Sequence, residues 1–188
     1  MRLIKGRVQM VEAPFRYRME LLFMRKKDMH EGHFYYIEDQ YFVDFPDDKL
    51  MRNKEMVDGL SHDRPCFYAF QDSKTGLYWV IPFSSRVAKF RGYYNAKVLK
   101  YGKCDTILFG NVLGHEKAFL IQNMCPVTSE YIKNEYIDKK TLKPVRIDGR
   151  LEAEMLAKAK RVLALQRKGL HLIFPDVLQI EKELLSRM

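Results

Sequence analysis

Two aromatic, β-prone runs joined by a short polar turn constrain this chain most. Residues 66–71 read CFYAFQ and residues 77–83 read LYWVIPF. Between them lies Asp72-Ser73-Lys74-Thr75-Gly76. Apolar runs of this length, bounded by turn residues, predict a β-hairpin. Pro82 has no N–H to give a ladder, so it marks an edge strand or a strand terminus. Residues 33–38 (HFYYIE), 105–110 (DTILFG) and 118–123 (AFLIQN) predict three further strands.

Helical signals interleave with the strands and then follow them. Residues 46–59, opening on Pro46-Asp47-Asp48 and closing on Gly59, predict a short helix. In residues 84–103, Val87, Phe90, Tyr94, Val98 and Tyr101 recur at helical spacing and form one apolar face. Ser84 or Ser85 is the expected N-cap. Gly92, inside that helix, costs about 1 kcal/mol relative to Ala. Thr128-Ser129-Glu130-Tyr131 opens a short helix. Asp148 or Gly149 caps a long one over 150–168, ended by Gly169, and a last helix runs from Pro175 at its first position. Antiparallel strands first and a helical C-terminal third indicate an α+β fold.

The 188 residues fit one domain, or one domain with a tail. With 47% apolar and 13% aromatic residues the chain can bury a core, which excludes a disordered or collagen-like chain. Residues 1–28 hold eight Lys/Arg and three Asp/Glu, so +5 of the net +9 lies there. They lack the apolar core and small-residue cleavage site of a signal peptide. Met24 and Met29 are further possible starts. Residues 1–28 read as an N-terminal extension, weakly ordered and outside the single domain of residues 29–188, or alternatively as an RNA-binding arm. No apolar run approaches 18 residues, the length of a membrane-spanning helix. Cys66, Cys104 and Cys125 are odd in number and lie in no ligand spacing, which suggests reduced thiols in a cytosolic protein. Cys66 and Cys125 read as packing residues.

A net charge of +9 suggests a polyanionic partner. The segment that stands out is Ser84-Ser85-Arg86-Val87-Ala88-Lys89, where a strand runs into a helix. Helix N-termini present unpaired N–H groups and partial positive charge, where phosphate binds readily. Two hydroxyls, the bidentate donor Arg86 and the charge of Lys89 fall at that end. Arg86, Lys89, Tyr93, Lys97 and Lys100 form a stripe opposite the apolar face, and residues 84–103 contain six Lys/Arg and no acid. The plain alternative is a serine cap and a solvated basic face. The helix dipole accounts for Lys100 and Lys103, but not for Arg86 and Lys89 at the positive end.

Other candidates are weaker. His30, His33, His62, His115 and His171 are scattered and none pairs at metal spacing. His62-Asp63-Arg64 precedes a strand and reads as a loop facing a site. Tyr35, Tyr36, Tyr41, Tyr68, Tyr78, Tyr93 and Tyr94 read as core residues or as a stacking platform for unpaired bases. P-loop, GxGxxG, HExxH and GxSxG motifs are absent.

At HFYYIEDQY, RPCFYAF, TGLYWVIPFSSRVAKF and FLIQNMCPVT the sequence resembles the ToxN/AbiQ family, and within it the CptN-like branch. These are the protein toxins of type III toxin–antitoxin systems. The resemblance spans residues 33–135, extends loosely to the C-terminal helices and leaves out 1–28. Its most specific piece is the strand–Pro–x–Ser/Thr–Ser–x–Lys element. It implies a compact twisted antiparallel sheet, barrel-like as in MazF/Kid toxins, flanked by helices. It implies a metal-independent endoribonuclease without cofactor, cutting mRNA at A-rich sites to a 2′,3′-cyclic phosphate and a 5′-hydroxyl. It further implies inhibition by a processed RNA pseudoknot, closed heterotetrameric or heterohexameric assemblies, a cytoplasmic location and phage defence by abortive infection. No membrane or DNA partner is implied.

By position, the family's Thr/Ser-Ser pair falls on Ser84 and Ser85, and its catalytic Lys falls best on Lys89. The family Lys stands two residues after the second hydroxyl. Here Arg86 is one after it and Lys89 four after it, so Arg86 shares or takes that role. The groove aromatic matches Tyr41 or Tyr36, and a second family Lys falls near Arg64. Tyr93, Lys97 and Lys100 extend the RNA track. Attack of a ribose 2′-OH on its phosphate needs in-line placement and stabilised phosphoryl oxygens. Lys89, among other cations, is the base or acts only electrostatically. The rival readings are a non-catalytic basic RNA-binding protein and a structural or membrane-surface basic protein.

Overall fold

A computed structural model describes residues 29–57 and 60–188. The reading of residues 1–28 lies outside the described residues. β1 (Phe34–Ile37) is followed by a short helix α1 (Asp39–Asp44), then β2 (Lys54–Val57) and β3 (Leu60–Asp63). β4 (Pro65–Gln71) and β5 (Tyr78–Ser84) lead into α2 (Val87–Tyr101). β6 (Ile107–Val112), β7 (His115–Leu120), β8 (Cys125–Val127) and β9 (Ile132–Glu135) follow. The chain closes with α3 (Gly149–Gln166) and α4 (Val177–Arg187).

Seven strands make one antiparallel sheet in the order β6-β7-β5-β4-β1-β9, with β8 also paired to β5. The fold is α+β, as the order of signals in the sequence implies. β6 and β9 end the sheet without pairing to each other, so it is open where the resemblance implied a barrel-like form. β4 and β5 form the expected hairpin around the 72–76 turn. Asp72 holds that turn by accepting the Lys74 N–H at 2.9 Å, and Gly76 supplies a φ of +73°. The two strands are buried along nearly all their length, which is why they read as continuous apolar runs. Pro82 is not on an edge. It sits near the end of an interior strand, where the second neighbour of β5 changes from β8 (at Tyr78–Val80) to β7 (at Phe83 and Ser84).

The predicted helix over 46–59 is not formed. Residues 54–57 and 60–63 pair instead as antiparallel β2 and β3, with Lys54 opposite Asp63 and Glu55 opposite His62. The buried Asn53 amide pins the chain, donating to Ile37 O at 3.0 Å and to Asp39 Oδ1 at 2.6 Å. The helix of this region lies earlier, at α1, where Tyr41 and Phe45 are buried one turn apart. Several boundaries move, two of them with a change of local structure. The strand expected over 118–123 ends at Leu120 and turns into a 3-10 helix, and α4 starts after an Asp176 cap rather than at Pro175. Asp148 caps α3 by accepting from Arg150 N and Leu151 N, as expected. Gly169 (φ +92°) follows the end of that helix.

The main core is aromatic. Phe34, Phe67, Phe83 and Phe119 meet at centroid distances of 5.4–6.3 Å, mostly edge to face. α3 packs on it through Met155, Ala159, Val162 and Leu163. A second, smaller core lies beneath α2, where Phe90, Tyr94 and Val98 cover Cys104, Ile107, Ala118 and Leu120. Tyr101, predicted on that face, is exposed. All three cysteines are free and buried, and burial pushes the Cys66 and Cys125 thiols up, Cys125 to about 12. None of the described helices is long and apolar enough to cross a membrane.

Arg167 ties the C-terminal helices to the sheet. Its guanidinium donates to Asp72 at 2.6 Å and to Glu181 at 2.8 and 3.0 Å. Burial pushes the Asp72 carboxyl up, but the Lys74 N–H and Arg167 outweigh it and hold it below the usual range. A carboxyl lowered in the folded state adds stability above its unfolded pKa and loses it as pH falls through the folded one. Arg167→Met therefore lowers the stability measured by urea unfolding by about 2–4 kcal/mol at neutral pH. The variant loses less further stability below about pH 4 than the parent chain does.

Candidate nucleic-acid interface

The last residue of β5 is Ser84, paired across the ladder with Ala118 of β7. Ser85 follows, and Arg86 stands at the N-cap of α2. Neither serine caps the helix. Ser84 Oγ accepts the Arg86 N–H at 3.2 Å, a local turn that aims the chain into α2. Ser84 is 2% exposed, because it remains part of the ladder. Ser85 is exposed and its Oγ accepts from Lys117 Nζ at 2.8 Å. Sequence reasoning missed Lys117. Its position on β7, next to the partner of Ser84, follows only from the pairing of distant strands.

The start of α2 has no side-chain cap and no acid in its first turn. The Val87 N–H donates to Ser85 O at 2.9 Å, so the N–H groups of Ala88 and Lys89, with the dipole, remain available to an anion. Arg86 and Lys89 are exposed and make no ion pair with a described residue. Lys89 Nζ lies 5.8 Å from the ring centroid of Tyr93 and 5.9 Å from that of Phe90. Tyr93 is 48% exposed. Lys100 lies further along, exposed, 5.0 Å from the Tyr101 ring. Hydrogen bonding to Tyr101 holds its ammonium above the usual value.

The predicted stripe is broken at Lys97, which turns inward. Its Nζ donates to Thr106 Oγ1 and Gln122 Oε1, both at 2.7 Å, and lies 5.7 Å from the Phe174 ring centroid. Thr106 and Gln122 are themselves buried. Lys97 is a tie between α2 and β6–β7, which its periodicity on the helix could not reveal.

On the other side of β5, Cys66 faces Pro82 and Pro65 faces Tyr36. Arg64 directly precedes Pro65, so Tyr36 and Arg64 lie at one rim of the β1–β4 pair. Arg64 donates its N–H to Asn53 O at 2.7 Å. Tyr36 is half-buried against Tyr136, and burial pushes its phenol up to about 12, so it remains a protonated donor. Tyr41 does not belong to this rim. It is fully buried and donates its O–H to Pro126 O at 2.8 Å, so it offers no surface to a ligand. Beside the rim, Lys54 and Lys133 both bind Asp63 and hold its carboxyl below the usual range.

Of the predicted site residues, the structure thus gathers Ser85, Arg86 and Lys89 at one exposed junction and adds Lys117. Tyr93 and Lys100 line the helix beyond it, and Tyr36 and Arg64 lie at the same rim. Ser84 is beneath this surface, Lys97 is tied inward and Tyr41 is core. Among the described residues no group of three or more His, Cys, Asp or Glu side chains is placed to hold a metal ion.

No family model matches the chain, and no curated protein matches it. Solved structures do. AbiQ, a lactococcal anti-phage endoribonuclease of a type III toxin–antitoxin system, superposes with a TM-score of 0.61 at 12% identity. The match covers 84% of this chain and 98% of that one. A bacterial type III toxin studied for its selective inhibition by a non-coding RNA pseudoknot matches at 0.51 and 17% identity, with the same coverage. The chain therefore has the fold of these toxins.

The inward Lys97 has a measurable signature. Burial lowers its pKa, and the neighbouring Cys104 and Tyr101 offset this only in part. The folded chain then binds fewer protons than the unfolded one in the alkaline range, so this residue makes stability rise with pH there. Lys97→Met removes that increment. Urea midpoints at pH 8 and pH 10 will differ less favourably for the variant than for the parent chain.

Proposed function

We propose that this protein is the toxin of a type III toxin–antitoxin system, an endoribonuclease that cuts A-rich RNA without a metal ion. The observation that carries this reading is the β5–α2 junction, where Ser85, Arg86, Lys89 and Lys117 meet an uncapped helix start. That the fold is shared with an anti-phage endoribonuclease supports it.

The chemistry is an internal transfer. The ribose 2′-oxygen attacks the adjacent phosphorus, the P–O5′ bond breaks, and a 2′,3′-cyclic phosphate and a 5′-hydroxyl result. One proton leaves the 2′-OH and one joins the 5′-oxygen. Arg86, the Ser85 O–H and the first N–H groups of α2 stabilise charge on the phosphoryl oxygens. Lys89 acts as the base or adds to that field. Buried Ser84 holds the turn that presents these groups. Tyr93 and Tyr36 offer faces for base stacking, while Arg64 and Lys100 extend the cationic track.

The partners in this reading are cytoplasmic mRNA and an inhibitory RNA pseudoknot, bound with the toxin in a closed heterotetramer or heterohexamer. One structural neighbour is a toxin inhibited by a non-coding RNA pseudoknot, which supports that partner. The principal alternative is a non-catalytic RNA-binding protein using the same face. It is separated by incubating the full chain with A-rich RNA in EDTA. Cleavage with 2′,3′-cyclic phosphate ends is expected, and binding without turnover would instead favour the alternative. Arg86→Ala and Lys89→Ala should each slow cleavage by about 10²–10³-fold. Affinity for RNA should fall steeply with salt, since the contacts are largely to phosphate.

A further inference from the structure

We propose that Lys117 is a positioning residue that sets the direction in which the Ser85 hydroxyl donates; the inference rests on the ribonuclease reading above. A serine hydroxyl has one proton and two lone pairs, whereas a lysine ammonium can only donate. At 2.8 Å from Lys117 Nζ, Ser85 Oγ must therefore accept, and its own proton is left to point elsewhere. Ser85 is exposed, so that proton faces a ligand at the mouth of the junction. Ser84 also accepts, from the Arg86 N–H, but at 2% exposure it cannot reach a ligand. Of the two serines, only Ser85 is both oriented and accessible.

The geometry around Lys117 keeps it at this task. It lies within the β6–β7 ladder, opposite Gly110, and next to Ala118, the partner of Ser84. A side chain carried on a strand is held more tightly than one on a loop. Successive strand residues point to opposite faces. Ala118 and Leu120 pack beneath α2, so Glu116 also faces that helix, and it is engaged there by Arg91 at 2.6 Å. Lys117 leaves from the other face, away from that carboxylate. Among the described residues it makes no ion pair, so its charge stays directed at Ser85.

The test is a double-mutant cycle on the full chain, read as kcat and KM for an A-rich oligonucleotide. Lys117→Met should lower kcat by about tenfold, less than the 10²–10³ expected for loss of a donor outright, with KM changed by less than about threefold. Lys117→Arg, which still donates, should restore most of the rate. In a Ser85→Ala background, adding Lys117→Met should cost nothing further, because Lys117 acts through that hydroxyl. Losses that multiply, a change in KM alone, or full activity of the Lys117→Met variant would overturn the inference. Should Lys117→Met not fold by thermal melting, Lys117→Gln takes its place in the cycle. Absence of cleavage by the unmutated chain would instead sink the ribonuclease reading and this inference with it.

Discussion

β5 is hydrogen-bonded to β4 on one side and to two strands in turn, β8 and then β7, on the other. The change of neighbour occurs around Pro82, a residue that gives no N–H to either partner. After that point β5 pairs with β7 for only two residues, Phe83 and Ser84, before the chain turns away into α2. That two-residue contact shapes most of the proposed site. It buries Ser84 in the ladder, delivers Lys117 to Ser85, and fixes where the uncapped end of α2 emerges.

The packing that surrounds this contact is rigid where it needs to be. The phenylalanine cluster fixes β1, β4, β5 and β7 relative to one another. α2 is a surface helix with no fully buried residue, so its placement depends on side-chain ties at both ends. Arg91 with Glu116 secures the first turns, with the guanidinium 4.0 Å from the Phe109 ring centroid. Lys97 with Thr106 and Gln122 secures the last. Two of the six cations of residues 84–103, one of them (Lys97) in the predicted basic stripe, are thus used to hold the helix in place.

The sequence disclosed those features that depend on local chemistry. The hairpin over 66–83, the apolar face of α2 and the Asp148 cap could be read because each rests on residues within a few positions of one another. The β2–β3 hairpin could not, because what excludes a helix there is the Asn53 amide reaching Ile37 and Asp39. In the site, the Ser85–Arg86–Lys89 segment was visible as a motif, and the structure brings those residues to one surface. The burial of Ser84 and Tyr41, the inward turn of Lys97 and the arrival of Lys117 come from strand pairing and packing across 9 to 85 residues of chain. Periodicity carries no information about these.

Residues 84–103 contain six cations and no acid. Only Arg91 and Lys103 reach a described carboxylate, Glu116 and Asp105 respectively. With Lys97 turned inward, Arg86, Lys89 and Lys100 are left exposed along a single helix without a described carboxylate. Like charges one turn apart destabilise a helix by a few tenths of a kcal/mol each. A polyanion lying along α2 removes that repulsion, and anything that binds only the folded chain raises its stability. The free protein consequently carries an internal electrostatic load that a polyanion bound there would shed, so that occupancy of this face and thermal resilience of the whole chain would rise and fall together.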